Sequence, residues 1–587
     1  MANAAADNHG VEPLKKPTDA ESAYGASTIL ADAEKQKPSQ TASGNKRPGN
    51  LFGSAVDTGA SKTSGLDPAY VAKAQLLNEA LLDIGMGRYQ WFLTIATAVG
   101  WFLDQFWLAS FTIILPAASN EAQFYFLYQN PTDFMISTSA GLALGALMWP
   151  VMADIWGRKQ MFTATVVLMG MAGLVGAGMT AFTGLCVVGF VVGFAVGGNQ
   201  AVDAVYLVES VPASHTWLVA AQGVFWGLGQ LVAYAVGWAF LEQWTCGTGP
   251  DASSGSFKRA DHTGSGSGSG SGSSSSSSLC HYVSNKGWRY TWWCFGCITL
   301  FLYLVRFSIR MYETPKSLLA RRRDDEAVQT TRDIANANRQ ITWLNEAAFA
   351  RVESSMITEE AEEEETSDAE RAGGPISKRG LSASIKSVVA ALGPMGLCSL
   401  VLLWASIGLT FTLQSQFIQL YLATKGVSAV TATSVSRPYW FSRYVYISIC
   451  AIPGPLIASA LVEAKFLGRK RAGALLSLLS GIFMLASTGA RTRNSLLAFE
   501  CILSFLQYAL LAVVTLYTVE VFGAPIRGAG IAVTGLSWRF FGLVAWIVAG
   551  YSSSASGAAV WFSGALAILV SGLWILLPVE TRAKAAA

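Results

Sequence analysis

Asp154-Ile-Trp-Gly157-Arg158-Lys159 and Glu463-Ala-Lys-Phe-Leu-Gly468-Arg469-Lys470 are one kind of turn met twice: an acid, then Gly-Arg-Lys, after the second apolar segment of each half. A charged turn repeated at equivalent places implies a repeated helical bundle. The copies are unequal, because the acid of the second lies two residues farther from its glycine.

The segments around these turns set the solvent. With 52% hydrophobic and 13% charged residues and a mean hydropathy of +0.39, a 587-residue chain is too apolar to be soluble. A helix crosses the hydrocarbon core with about 20 apolar residues, and twelve such stretches can be traced, from 91–115 to 558–577. They are continuously apolar rather than alternating, which makes a spanning β-barrel a poor alternative. The expected fold is an all-α polytopic membrane protein with twelve transmembrane helices in two pseudo-symmetric six-helix bundles.

The bundles are expected at 89–312, with an extracellular Ser/Gly-rich loop at 242–287, and at 392–578. A polar cytoplasmic tail, 1–88, reads as disordered and shows no cleavable signal. A hydrophilic middle loop, 313–391, joins the halves, and a short tail, 579–587, ends the chain. Within the middle loop 324–339 reads as a surface helix and the acidic run 359–365 as solvated linker. Both termini are placed in the cytoplasm, since this gathers Arg158, Lys159, 310–323, 465–471, Arg527, Arg582 and Lys584 on the inner side. Lys258, Arg259, Arg491 and Arg493 are the exceptions. Cys246 and Cys280 lie in the external loop, where disulfides persist, and are expected to pair. The other six cysteines lie in apolar spans as small buried hydrophobes.

Further landmarks fall at the charged ends of spans: Glu209-Ser-Val-Pro212, Tyr312-Glu313-Thr314-Pro315, Glu520-Val-Phe-Gly523-Ala-Pro-Ile-Arg527, and Pro578-Val-Glu580-Thr581. Together with Asp154, Gly157, Arg158 and Lys159, they resemble the signatures of the major facilitator superfamily, on its sugar-porter side, over about 88–582. Pro150, Ile155, Thr216 and Gly523 depart from the pattern. Gly197-Gly198-Asn199, Asp203 and Trp226-Gly227-Leu-Gly229-Gln230 carry a closer resemblance to the fungal metabolite–proton symporter branch, related to synaptic-vesicle-transporter-like proteins. The resemblance implies a plasma-membrane transporter that alternates access by rocking its halves. Asp154, Gly157, Arg158, Lys159, Glu209, Arg469, Glu520 and Arg527 are then a cytoplasmic gate, because charge-assisted bonds between helix ends break when bundles tilt. Asn199 stands where phosphate permeases carry Asp, and the Gln-Gln motif of sugar porters is absent around Gln414, Gln416 and Gln419.

Ionisable groups inside spans mark solute pathways. Asp104, near the middle of the first span, is the leading proton-coupling residue, with Asp203 second; Arg539 in the eleventh span suits an anionic solute. Gln222, Trp226, Gln230 and Tyr234 recur every four residues and share a helix face. With Asn199, Gln416, Gln419 and Arg539 they are the expected substrate pathway. No nucleotide-binding motif appears, and His9, His215, His262 and His281 all lie outside the spans. An enzyme, a metal site and a cofactor are therefore not expected. The reading is a monomeric secondary transporter of a small polar metabolite, an organic acid or a sugar-like solute, coupled to protons. It works in the lipid bilayer with no nucleic-acid partner. A non-transporting nutrient receptor and a phosphate–proton symporter are the alternatives.

Overall fold

Because a bilayer offers no hydrogen bonds to an unpaired backbone, long apolar segments close their bonds internally as helices. A computed structural model describes residues 68–125, 130–245, 285–307, 311–363, 381–425, 437–551 and 557–582, and every regular element among them is helical. The first half contains α1 Pro68–Ile84, α2 Arg88–Tyr125, α3 Thr132–Trp156, α4 Arg158–Gly176, α5 Phe182–Ser210, α6 Val224–Trp244 and α7 Gly287–Phe307. The middle segment forms α8 Pro315–Ala320, α9 Asp324–Ala337, α10 Glu346–Glu363 and α11 Leu381–Leu392. The second half contains α12 Pro394–Thr424, α13 Arg437–Ala451, α14 Pro453–Glu463, α15 Gly468–Ser487, α16 Arg493–Val521, α17 Ala524–Tyr551 and α18 Ala558–Ser571.

Among the described residues, 11 helical segments are long and apolar enough to cross a membrane. The remaining expected span is α7, whose 21 residues give the length. Arg289 and Arg306 lie near its two ends, and aromatic residues fill much of its first half. The eighth span is broken into α13 and α14 at Pro453, which has no N–H to donate.

Helices approach closely where glycines face backbone. Cβ atoms on Gly141 and Gly145 of α3 would strike Phe190 and Phe194 of α5, and Cβ atoms on Gly193 and Gly197 of α5 would strike Thr138 and Leu142 of α3. These glycines therefore serve helix packing, as small residues do in membranes.

Three expectations change outside the spans. The stretch read as a disordered tail ends in α1, because Tyr70, Ala74, Leu77 and Leu81 share one helix face and are buried. The helix expected at 324–339 is α9, but Ala327, Val328 and Ile334 are buried rather than surface residues. The acidic run begins inside α10, so its first residues are helical rather than linker. Cys246 and Cys280 lie outside the described residues; the other six are free thiols and not buried as expected, Cys297 and Cys398 being exposed and Cys186, Cys294, Cys450 and Cys501 half-buried, because they sit on helix faces turned away from the core.

Gly197→Val should force α3 and α5 apart, at about 1–3 kcal/mol for overpacking. The expected result is a lower midpoint in thermal unfolding of the detergent-solubilised protein, with Gly197→Ala intermediate.

Candidate functional site

At one end of the bundles, each Gly-Arg-Lys turn builds a buried charge cluster. Gly157 and Gly468 take φ values of +119° and +63°, which favour glycine. They turn the chain so that Arg158, the first residue of α4, and Arg469, the second of α15, point inward, each 2% exposed or less. In the first cluster Arg158 pairs with Asp154 and, at 3.3 Å, with Glu209. Thr314 Oγ1 donates to Glu209 at 2.6 Å. The Glu313 carboxylate accepts from the backbone N–H groups of Arg158 and Lys159, at 2.8 and 3.4 Å, an anion at a helix N-terminus.

The second cluster repeats this plan. Arg469 Nη2 lies 2.9 Å from Glu463 and 3.0 Å from Glu520, and Thr581 Oγ1 donates to Glu520 at 2.6 Å. Glu580 accepts from the N–H groups of Arg469 and Lys470, at 2.8 and 3.1 Å. The two extra residues before Gly468 are absorbed by the turn at 464–467, which leaves Phe466 86% exposed. The longer spacing therefore leaves Glu463 in contact with Arg469. Glu313, Thr314, Glu463, Glu580 and Thr581 were not among the gate residues expected from sequence, although the landmarks containing them marked the places. Lys159, which was, is exposed and contributes through its backbone.

The clusters also join the halves. Arg527 Nη1 of α17 lies 2.6 Å from Glu209 of α5, both side chains fully buried. Seven residues after Glu209 stands Thr216, the counterpart of Arg527 after Glu520. Its hydroxyl accepts from Arg469 at 3.4 Å. One crossing is thus an ion pair and its mirror image a longer bond to a hydroxyl. At the opposite end the halves meet again, where Asn130 donates to Gly550 O at 3.1 Å and Tyr551 OH to Asp133 at 3.0 Å.

Between these ends lies a cavity of about 270 Å³, walled by Gln105, Thr112, Thr138 and Ser139 of the first half and Thr412, Gln507, Tyr508 and Arg539 of the second. The Arg539 guanidinium stacks over Trp538 at 3.7 Å and donates to Gln200 at 3.4 Å. Among the described residues no carboxylate comes within ion-pair distance of it, though Asp104 lies within its electrostatic reach.

Asp104 and Asp203 share one amide. Asn199 Nδ2 donates to Asp104 at 3.0 Å and to Asp203 at 3.1 Å, while Thr165 Oγ1 donates to Asn199 Oδ1 at 2.9 Å. The second oxygen of each carboxylate has no hydrogen-bond partner among the described residues. Gly100 leaves the room that Asp203 occupies, since a Cβ there would collide with the carboxylate.

Of the expected pathway residues only Arg539 borders the cavity. Gln222, in the turn just before α6, instead bonds to α2, donating to Thr94 O at 2.8 Å and Thr97 Oγ1 at 2.6 Å. Trp226 stacks on Trp101 at 4.5 Å, Tyr234 packs on Tyr444 at 4.7 Å, and Asn199 is buried between the two acids. Gln416 is exposed, because α12 turns Gln414 inward instead, where it donates to Ser487 at 2.9 Å. The Gln419 side chain lies outside the described residues. Gln230 reaches the cavity through a neighbour, accepting from the lining residue Tyr508 at 2.6 Å. Gln105 and Gln507 were missed, single polar residues in apolar spans without a repeated spacing to flag them.

The family model described as "Sugar (and other) transporter" matches residues 93–246. "MFS siderochrome iron transporter 1" of Ceriporiopsis subvermispora is 32% identical over 524 residues, 89% of this chain and 93% of that protein. "Niacin transporter NiaP" of Acinetobacter baylyi is 23% identical over 86% of this chain and 97% of its own length. Among solved structures, the proton:xylose symporter XylE of E. coli aligns with a TM-score of 0.58 at 16% identity, covering 85% of this chain and 98% of its own.

Arg527→Gln should strand the buried Glu209 charge in part and lower the thermal midpoint, breaking a buried pair costing about 3–5 kcal/mol. Adding Glu209→Gln should recover part of the loss in a double-mutant cycle. Beside this pair, outside the membrane spans, burial and the neighbouring Arg527 push the Lys316 ammonium down to about 7 from 10.5, against the pull of Glu209. Between those values the unfolded chain binds a proton that the folded one lacks, so this group makes stability rise with pH there and gives no slope below. Lys316→Met should flatten the rise in thermal midpoint between about pH 7 and about pH 10.

Proposed function

The chain belongs to the major facilitator superfamily of secondary transporters, and from that premise we propose that it moves a small organic anion together with a proton by alternating access. The observation carrying this reading is Arg539, a permanent cation on the wall of the central cavity with no carboxylate paired to it among the described residues. Such a charge inside a membrane protein needs a counter-charge, and a bound anion supplies one. Gln105, Gln507, Thr112, Thr412 and Tyr508 add neutral donors and acceptors around it. The cavity volume of about 270 Å³ falls near the lower end of the ~300–1,000 Å³ range of ligand sites, which suits a metabolite of modest size. A relative is named a niacin transporter, and niacin is a small aromatic carboxylate.

Asp104 couples the proton. Ionised, it offsets the field of Arg539 and weakens the hold on an anion; protonated, it leaves that field to the solute. Proton and anion therefore favour each other's binding, which is the thermodynamic requirement for symport. Asp203 shares the Asn199 amide and discourages a second charge beside the first. The gate is the Glu209–Arg527 pair with its two supporting clusters; the positive-inside bias supports a cytoplasmic face for it, and the family resemblance supports the plasma membrane. When the halves tilt, this pair separates and the cavity opens to that side.

The test is uptake of labelled nicotinate, other monocarboxylates and xylose into proteoliposomes under an imposed pH gradient, with and without a protonophore. A carboxylate should accumulate, and the protonophore should abolish accumulation. Arg539→Gln should lower its uptake at least about 30-fold, the loss expected at 2 kcal/mol or more for one partner of a desolvated charge pair. Asp104→Asn should abolish uphill accumulation while leaving exchange. Saturable xylose uptake without carboxylate uptake, or full carboxylate uptake by Arg539→Gln, would overturn the assignment.

A further inference from the structure

The helix before the first span is built into the gate from outside the bundles. Ala74, Leu77, Ala80 and Leu81 of α1, all at most 1% exposed, share a core with Leu318 and Leu319 of α8 and with Phe349 and Val352 of α10. The second half completes this core with Ala524, which opens α17, the helix that carries Arg527. At the rim, Lys73 Nζ lies 2.5 Å from Asp324 and 3.2 Å from Glu353, and Trp343 Nε1 donates to Asp83 at 2.7 Å. The middle segment under α1 is anchored to the first half, through Thr314 on Glu209 and through Asn338, which bonds Tyr89 N at 3.0 Å and Gln90 at 2.7 Å. Docked α1 therefore belongs to a core that draws on both halves beside the pair that joins them, with α8 packed between it and α17.

Two features favour a reversible contact over a fixed one. The Tyr70 hydroxyl is buried without a hydrogen-bond partner among the described residues, within electrostatic reach of Arg527, Glu209 and Arg158. A buried, unpaired polar group costs about 1–3 kcal/mol, and that cost is relieved when α1 lifts into water. Between α1 and α2 the chain runs through Gly85, at a φ of +65°, and Gly87, a link able to take up the change in direction.

We propose that α1 is a strap: docked, it holds α17 against α5 and keeps the Glu209–Arg527 gate shut, and its release lowers the barrier to opening. The inference rests on the reading of that pair as a gate and names its regulator within the same chain. Tilting the second half away must withdraw Ala524 from the α1 core, so the apolar contact opposes opening. The strap acts by shifting a two-state population and needs no contact with the solute.

Hydrogen exchange of the full-length protein in nanodiscs tests this without using transport. Leu77→Glu puts a charge into the α1 core; Lys73→Glu breaks the rim ties, and Asp324→Lys added to it restores an opposite-charge pair. Both single variants should raise exchange across 211–222 and 526–534, by about tenfold or more for Leu77→Glu on the scale of local opening, and the added Asp324→Lys should reverse part of the Lys73→Glu effect. The amides of α3 and α5 at 134–150 and 185–200 should keep wild-type protection. Faster exchange confined to α1, with 211–222 and 526–534 at the wild-type rate, would overturn the strap. That result would leave the anion–proton assignment standing, because uptake is measured separately.

Discussion

The Glu209 carboxylate is the point on which the two halves depend. It is fully buried, accepts from Thr314, and stands between Arg158 of its own half and Arg527 of the other. A carboxylate buried there alone would be prohibitively costly. Two guanidinium groups and a hydroxyl make it tolerable only while the halves are together at this end. Intrahelical bonds and glycine contacts hold each bundle, but this junction relates one bundle to the other. The repeated turns exist, in physical terms, to deliver an arginine to such a carboxylate twice.

The central cluster follows another logic. Asp104, Asn199 and Asp203 form a polar knot inside the first half, fastened by Thr165 and given space by Gly100. Arg539 belongs to the second half and faces the cavity. The proposed coupling thus crosses the plane between the halves, and any change in their tilt alters the field that each group feels. Tyr508 and Gln230 make a direct bond across the same plane at 2.6 Å, so the cavity wall and the relation of the halves are mechanically linked.

Much of this was legible in the sequence because a bilayer permits so few solutions. Continuous apolar runs disclose the spans, and the two Gly-Arg-Lys turns disclose the repeat. Asp104 and Arg539 stood out as charges where charge is rare. The fourfold spacing of Gln222, Trp226, Gln230 and Tyr234 did identify one helix face, but periodicity cannot say what that face meets. Gln222 meets α2, Trp226 stacks on α2 and packs edge-on against the cavity residue Tyr508, and Gln230 bonds to that same tyrosine. Gln416 is exposed and off the cavity wall, since polar residues near the end of a long helix face outward as readily as inward. Glu463 was discounted on spacing, since a linear count cannot show that an intervening turn returns the side chain to Arg469. The α1 helix was hidden by averaging, its apolar stripe diluted in a long polar segment.

Thr216 gives the architecture its slack. Were the repeat exact, an arginine at this position would bind Glu520 as Arg527 binds Glu209, and two ionic locks would secure one end. Reversing a 1:99 conformational preference already demands about 5.5 kcal/mol of differential binding, much of what a solute of few atoms can supply. A second lock would deepen the preference beyond the reach of such a ligand. On the proposed transport cycle, Thr216 leaves this end held by one buried ion pair between the halves instead of two, which lowers the differential binding that a solute must supply.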